Sequence, residues 1–480
     1  MLRSSIWLLA LAARGAAGAS PCSGNGALVA GACRCKDGWR GPDCGALDLV
    51  DGGRPLWPPA SRFDAASSWG ASVVAHDGAH WIFASEMAAG CGLATWRSNS
   101  MVVAARSGDG PLGPYAAAEV LVPPFGHNAA RAPRVLRSRA RARVSPPRSQ
   151  MMIPGTAKSP WILLHIGGYR VEAKRNCGGG VTTPERRRLA GRGARRRPRD
   201  AAPVSREGRP AAAGEPGAPP REKRPNLGTR VLVADGPRGP WNATTLTCAE
   251  GHENCDFANP AMAINPDTGE ALAAYKIIHG PFRGRAIAFA RAPSWRGPFA
   301  PASRDRWNKA PGIPCGSHQY FACEDPFLWR APDGVYHVLF HHSDGRTRED
   351  LGGHAWSDDG GSTWTLSETN AYGNNFTTFD GARHTFKRPQ RPQLHVAADG
   401  TPLALVLGVA GDSVAGPGSC RPPSSSPGCD RSWTLGVPTS ALAGRRAEAD
   451  DEADAPRAAP RGPAAPEPRR KTSFEERHDW

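Results

Sequence analysis

A unit of about 60 residues recurs along this chain of 480 and restricts the fold more than any other feature. Each unit is an apolar strand, an Asp-Gly turn, a second apolar strand and then a third. The first reads ASVVAHDGAHWIFASEM, MVVAAR and GPLGPY, and a later one reads AMAINPDTGEALAAYKII, AIAFARAP and WRGPF. PFLWRAPDGVYHVLFHH with GGHAWSDDGGSTW is another, and PQLHVAADGTPLALVLGV with SWTLGVP is the last. WILLHIGGY, TRVLVAD and GPRGPW make a second unit broken by an insertion, so the units number five. Asp-Gly between alternating apolar runs marks a tight hairpin. Gly-Pro-aromatic closes three units, at Tyr115, Trp241 and Phe299, and Trp364 closes a fourth. The spacing is 58 residues from Trp241 to Phe299 and 65 from Phe299 to Trp364. Three or four short strands in such a period make a propeller blade, whereas a β-sandwich shows turns every 8 to about 12 residues without the longer repeat. The predicted fold is all-β, a five-bladed β-propeller.

Ahead of the repeats lies CSGNGALVAGACRCKDGWRGPDC, residues 22–44. Its Cys-x-Cys, its Gly38-Trp39-x-Gly41 and its final Cys resemble the C-terminal half of an EGF-like domain. Cys22, Cys33, Cys35 and Cys44 match that family's second, fourth, fifth and sixth cysteines. Leu28 stands at the third, and no cysteine precedes Cys22 to serve as the first. The two absent cysteines are each other's partners in the family, so the resemblance implies Cys22–Cys33 and Cys35–Cys44 bridges. A unit this small has little core and depends on such staples. The remaining cysteines suggest the loop staples Cys248–Cys255, Cys315–Cys323 and Cys420–Cys429, with Cys91 and Cys177 left over.

The chain opens MLRSSIWLLALAARGAAGAS, a basic lead, a short apolar run and a small-residue cleavage site. That reads as a secretory signal peptide over 1–19 and is too short to span a membrane. Export suits twelve cysteines used as bridges. Two sequons, at Asn242 and Asn375, are expected glycosylation sites. The formal charge of +16 does not point to nucleic acid, because residues 131–224 hold 24 basic and 6 acidic side chains and the rest of the chain is near neutral. These basic stretches, at about 131–155 and 178–225, are Pro-, Gly- and Ala-rich and lack apolar periodicity. They are either a disordered polycationic loop or translated non-coding sequence. The expected organisation is leader 1–19, EGF-like module 20–45, interrupted propeller 46–440 and disordered tail 441–480.

A five-bladed, exported chain with His127-Asn128, Asn259-Pro260, CEDPFLW at 323–329 and RPQL at 391–394 is similar to the propeller superfamily of glycoside hydrolases. That superfamily includes arabinanases, xylosidases and invertase-like enzymes. The likeness spans most of residues 55–437, through architecture and short phrases.

Counting back from the turn glycine of each blade aligns Trp69, Asn259, Asp325 and Arg391, with Asn128 before the broken second blade. Proline follows three of them and can open a strand without spoiling a ladder. These residues should therefore ring one end of the central channel. Polar groups there suit sugar hydroxyls, and Trp69 offers a stacking face. Trp69, His127, Asn128, Asn259 and Arg391 are the expected substrate-binding residues. Glycoside cleavage needs two carboxyl groups. The resemblance implies a first-blade Asp as base or nucleophile, a second Asp that orients and a Glu as acid. Asp325, Glu324 and Asp256 are the candidates, because the first blade carries Trp69 at the aligned position, with only Asp77 and Glu86 near it in sequence. His341 and His342 are strand neighbours facing opposite ways and cannot form a one-sided metal pair. No metal and no cofactor is expected. SDDGGSTW, residues 357–364, fits an Asp-box, a hairpin brace away from the pocket. Two functions follow as expectations. One is carbohydrate cleavage or binding at the channel. The other is a catalytically silent extracellular protein that binds a glycan, or a protein partner through the EGF-like module.

Overall fold

A computed structural model describes residues 21–58, 67–88, 90–93, 99–122, 150–153, 160–165, 230–250, 257–277, 286–302, 313–314, 323–343, 349–386, 388–410 and 432–446. Within them five antiparallel sheets form the five blades. The first holds Ser67–His76, Ala79–Met87, Ser100–Ser107 and Ala116–Val122, and the second Gln150–Ile153, Trp161–His165, Arg230–Ala234 and Asn242–Thr245. The third runs Ala258–Ile264, Ala271–Lys276, Ala286–Ala292 and Ala300–Pro301, with Ile313–Pro314 added beside Ala286–Ala292. The fourth runs Glu324–Arg330, Tyr336–Ser343, Asp350–Ser357 and Thr365–Leu366. The middle strands are apolar on both faces because a neighbouring blade covers each side. All nine residues of Pro402–Ala410 are buried, for example. This is why the sequence shows continuous apolar runs there in place of strict alternation.

The fifth blade closes the ring. Arg388–Val396, Pro402–Ala410 and Trp433–Pro438 come from the C-terminal end, and the outer strand Arg54–Trp57 comes from the N-terminal end. Thr434 pairs with Trp57 and Gly436 with Arg54, and Pro55 sits on an edge where its missing N–H costs little. The seam to the first blade is polar and buried. Ser68 Oγ donates to the Trp57 carbonyl at 2.5 Å and lies 3.0 Å from Thr434 Oγ1. Ser432 Oγ donates to the Ser68 carbonyl at 2.7 Å, and Trp57 Nε1 donates to Glu86 at 2.7 Å. Each donor is satisfied, so the junction avoids the cost of burying bare polar groups.

The repeat's end marks do structural work at blade boundaries. Trp364 of the fourth blade stacks on Phe289 of the third, with centroids 4.1 Å apart. Trp241 of the second meets Phe83 of the first edge-on at 6.2 Å. Gly113-Pro114, Gly239-Pro240 and Gly297-Pro298 are all cis. The Asp-box is a brace in the outer hairpin of the fourth blade, where Asp359 Oδ1 accepts from Ser357 Oγ at 2.7 Å and from the Thr363 N–H at 2.9 Å.

Two placements differ from the sequence reading. Gln150–Ile153 is the second blade's first strand, although it falls inside the span assigned to the basic insertion. Four residues beside an Arg-rich run carry too little pattern to be read as a strand. Residues 440–446 form a helix past the boundary expected at 440, and Leu442 packs with Leu56, Trp57 and Tyr115.

The Cys-rich unit is EGF-like in its bridges, Cys22–Cys33 and Cys35–Cys44. It is docked on the fourth and fifth blades. Trp39 lies 5.0 Å from the His354 ring and 6.4 Å from Trp329, and His337 contacts both the imidazole of His354 and the indole of Trp329. The Asp43 carboxylate accepts from Ser367 Oγ at 2.8 Å, the Glu368 N–H at 3.0 Å and Thr369 Oγ1. Burial alone would raise its pKa, but these donors together hold it down at about 2. Gly38 rests on Pro402, with no room for a Cβ. The docked module thus holds the start of the segment that supplies the closing strand.

Of the other cysteines, Cys91, Cys248 and Cys323 are disulfide-bonded. Cys255, Cys315, Cys420, Cys429 and Cys177 lie outside the described residues. Among the described residues no helix is long and apolar enough to cross a membrane.

Candidate functional site

The first strands of four blades share one irregularity. Pairing skips two residues between Ser68 and Ala71, between Ala258 and Ala261, between Glu324 and Phe327, and between Gln390 and Gln393. Two residues face one on the partner strand, which is a β-bulge and bends the strand locally. The first bulge residue is Trp69, Asn259, Asp325 or Arg391, the same four that the turn glycines align. Asn259, Asp325 and Arg391 have φ of 51°, 54° and 55°, and the proline that follows each sits in the bulge's second place. In the first blade the positive φ moves one residue on, to Gly70 at 73°. Asn and Asp visit this left-handed region with modest penalty, whereas Arg391 pays on the order of 1 kcal/mol. Gly70 is required for a second reason. A Cβ there would lie 3.0 Å from the Cβ and Cδ of Arg391.

The bulges turn side chains from the third and fifth blades onto Asp325 of the fourth. Asn259 Nδ2 donates to Asp325 Oδ1, and Arg391 Nη1 stands 3.8 Å from the same oxygen. His341 Nδ1, on the adjacent strand, is 3.1 Å from Asp325 Oδ2, close enough for an ion pair though off-line for a straight hydrogen bond. Burial by itself would lower the His341 pKa. The close contact with Asp325 and the charges of Asp325, Glu324 and Asp350 outweigh it and raise the pKa above its ordinary value. Trp69, Gly70, Asp325, Arg391 and Gln393 line a hollow at this point. Asn259 is fully buried behind Asp325. Gln393 accepts from Ser72 Oγ at 3.2 Å, which fixes the wall on the first-blade side.

The catalytic candidates separate here. Glu324 pairs with Lys276 of the third blade and does not line the hollow. Asp77 is 84% exposed at a hairpin tip, beside His76, and Glu86 is buried against Trp57 in the ring seam. Asp256, His127 and Asn128 lie outside the described residues. Gln390 donates to Asp350 at 2.5 Å, a contact outside the hollow. The sequence reading missed His341 and Lys276. His341 and His342 face opposite ways, since His342 turns to Asn370 at 3.0 Å. Ligand atoms of Glu324, Asp325 and His341 lie within 4.8 Å of one another. Lys276 engages Glu324, and Asn259 donates to one oxygen of Asp325.

The family model for integrin beta epidermal growth factor like domain 1 matches residues 13–39. No curated protein matches the sequence. Among solved structures, the catalytic domain of the Coprinopsis cinerea GH62 α-L-arabinofuranosidase is similar at 11% identity, over 82% of this chain and 98% of that one, with a TM-score of 0.43. Zg3597, a family 117 glycoside hydrolase from Zobellia galactanivorans, is 11% identical over 82% of this chain and 91% of its own, with a TM-score of 0.47. An α-L-arabinofuranosidase from Lactobacillus brevis is 12% identical over 78% and 91%, with a TM-score of 0.41. Likeness at this level says nothing about this chain's chemistry.

Proposed function

We propose that the protein is exported and binds carbohydrate at the channel mouth, over the small hollow beside Asp325. The observation that carries this reading is that bulges in three blades bring an aromatic wall (Trp69), an acceptor (Asp325) and a cation (Arg391) to one concave place. Sugars are recognised by such a mixture: an apolar face for the ring, and fixed donors and acceptors for the hydroxyls. A left-handed Arg391 is a local strain, and strain of this kind is commonly kept where a side chain must be aimed. The EGF-like bridges agree with an oxidising compartment.

Binding is favoured over cleavage for a specific reason. Among the described residues one carboxylate, Asp325, lines the hollow, and glycoside cleavage uses two. Hydrolysis is the second reading. It rests on Asp256, three residues before Asn259, as the possible second carboxylate.

The test combines a glycan array with turnover of α- and β-linked aryl glycosides. Retention of glycan that is lost in Asp325→Asn supports the binding reading. Turnover abolished by Asp256→Asn moves the protein to the second reading. Glycan retention indifferent to Asp325→Asn removes the site.

A further inference from the structure

Each outermost strand of a propeller blade leaves a row of backbone N–H and C=O groups facing outward, a template for unwanted pairing with another chain. Four of the five outer strands carry a recognisable guard. Ala116–Val122 has Glu119, Ala300–Pro301 is two residues long and ends in proline, Thr365–Leu366 is two residues long, and Arg54–Trp57 has both a charge and Pro55. The fifth, Asn242–Thr245 of the second blade, has none of these. Its sequence is Asn-Ala-Thr-Thr, without charge or proline, and no described segment pairs with its outer side.

That unguarded strand is also a sequon. Asn242 and Ala243 are exposed, and Asn242 and Thr244 fall on the same face because strand side chains alternate. The other sequon is placed differently. Asn375 Nδ2 donates to Asn374 Oδ1 at 3.1 Å, and its Oδ1 accepts from Thr385 Oγ1 at 2.5 Å.

We infer that Asn242 carries an N-linked oligosaccharide and that this glycan is the edge guard of the second blade. In the modification, Asn242 Nδ2 attacks the anomeric carbon of an oligosaccharide held on a lipid diphosphate. An N–C bond replaces one N–H, the C–O bond to the diphosphate breaks, the proton passes to a base and the lipid diphosphate leaves. A hydrated branched chain anchored at the first residue of the strand then covers the outward hydrogen-bonding row. The inference needs export but does not depend on the hollow around Asp325.

The test is peptide and intact mass of the full chain secreted from eukaryotic cells, with and without an amidase that removes N-glycans and leaves Asp. The Asn242 peptide is expected to carry the sugar mass and to lose it on treatment. Thr244→Ala removes the sequon while keeping Asn242, and this protein should associate in light scattering where the wild type stays monodisperse. Asn242→Lys supplies an edge charge in place of the sugar and should restore the monomer. An unmodified Asn242 in the secreted protein overturns the inference. So does a Thr244→Ala protein that remains as monodisperse as the wild type.

Discussion

Lowering the pH from about 7.5 to about 5 should weaken the fold through three buried histidines. His337, His354 and His395 are all at least nine-tenths buried. Burial pulls the His354 pKa down to about 3 from 6.5, and Asp43 only partly opposes this. Burial, with His80 adding to it, takes His395 to about 4, although a bond to the Val73 carbonyl pulls the other way. His337 is lowered by burial, then by His354 and Lys36. The sign follows from proton counting. Below 6.5 the unfolded chain binds protons that the native state refuses, so stability falls as the pH falls. At about pH 5, roughly 1.5 pH units below 6.5, His354 and His395 have each lost about 2 kcal/mol. Together these two amount to about 4 kcal/mol, a large share of a domain's usual stability, and His337 acts in the same direction. His341 works against this loss. Its raised pKa means that it adds stability as the pH falls through its folded value towards 6.5. Urea unfolding at both pH values measures the net effect, expected at about 2–4 kcal/mol. His354→Phe keeps an aromatic ring in the stack and removes one titration, so its loss should be smaller by about 2 kcal/mol. A fold equally stable at both pH values, or a His354→Phe protein as acid-sensitive as the wild type, would show that these rings are not held neutral in the interior.

Other consequences concern the docked module. Trp39→Ala should cost about 3–5 kcal/mol in urea unfolding, because a buried indole between module and blade is removed; a loss under about 1 kcal/mol means that the module does not pack there. Asp43→Asn should cost about 1 kcal/mol, the linkage value discounted for partial exposure. That contribution is present above 3.8 and disappears as the pH falls towards 2, so the wild-type advantage should vanish in acid. Deleting residues 21–57 removes the closing strand of the fifth blade, and hydrogen exchange should then rise selectively in Trp433–Pro438.

The propeller could be read because each hairpin carries its own turn chemistry and each blade ends on an aromatic that must be buried. Counting from Gly78, Gly269, Gly334 and Gly400 also aligns the four bulge positions, since each lies nine or ten residues before its turn glycine. What could not be read were relations across the chain. Arg54–Trp57 completes a blade whose other strands lie more than 300 residues away, and four residues hold no sign of that partner. Glu324 and Asp325 are adjacent, so sequence treats them as a pair. The bulge sends one to the hollow and the other to Lys276. Trp39 belongs to the EGF-like phrase Gly38-Trp39-x-Gly41, and its partners on the fourth blade are invisible from its own module.

The central claim is that Trp69 and Asp325, from different blades, act on one ligand in one hollow. Calorimetric titration of a retained glycan into the wild type, Trp69→Ala, Asp325→Asn and the double variant tests it most directly. Shared contact predicts that each single change weakens binding and that the two losses couple by about 0.5–3 kcal/mol. Strictly additive losses, or binding untouched by either change, would contradict it.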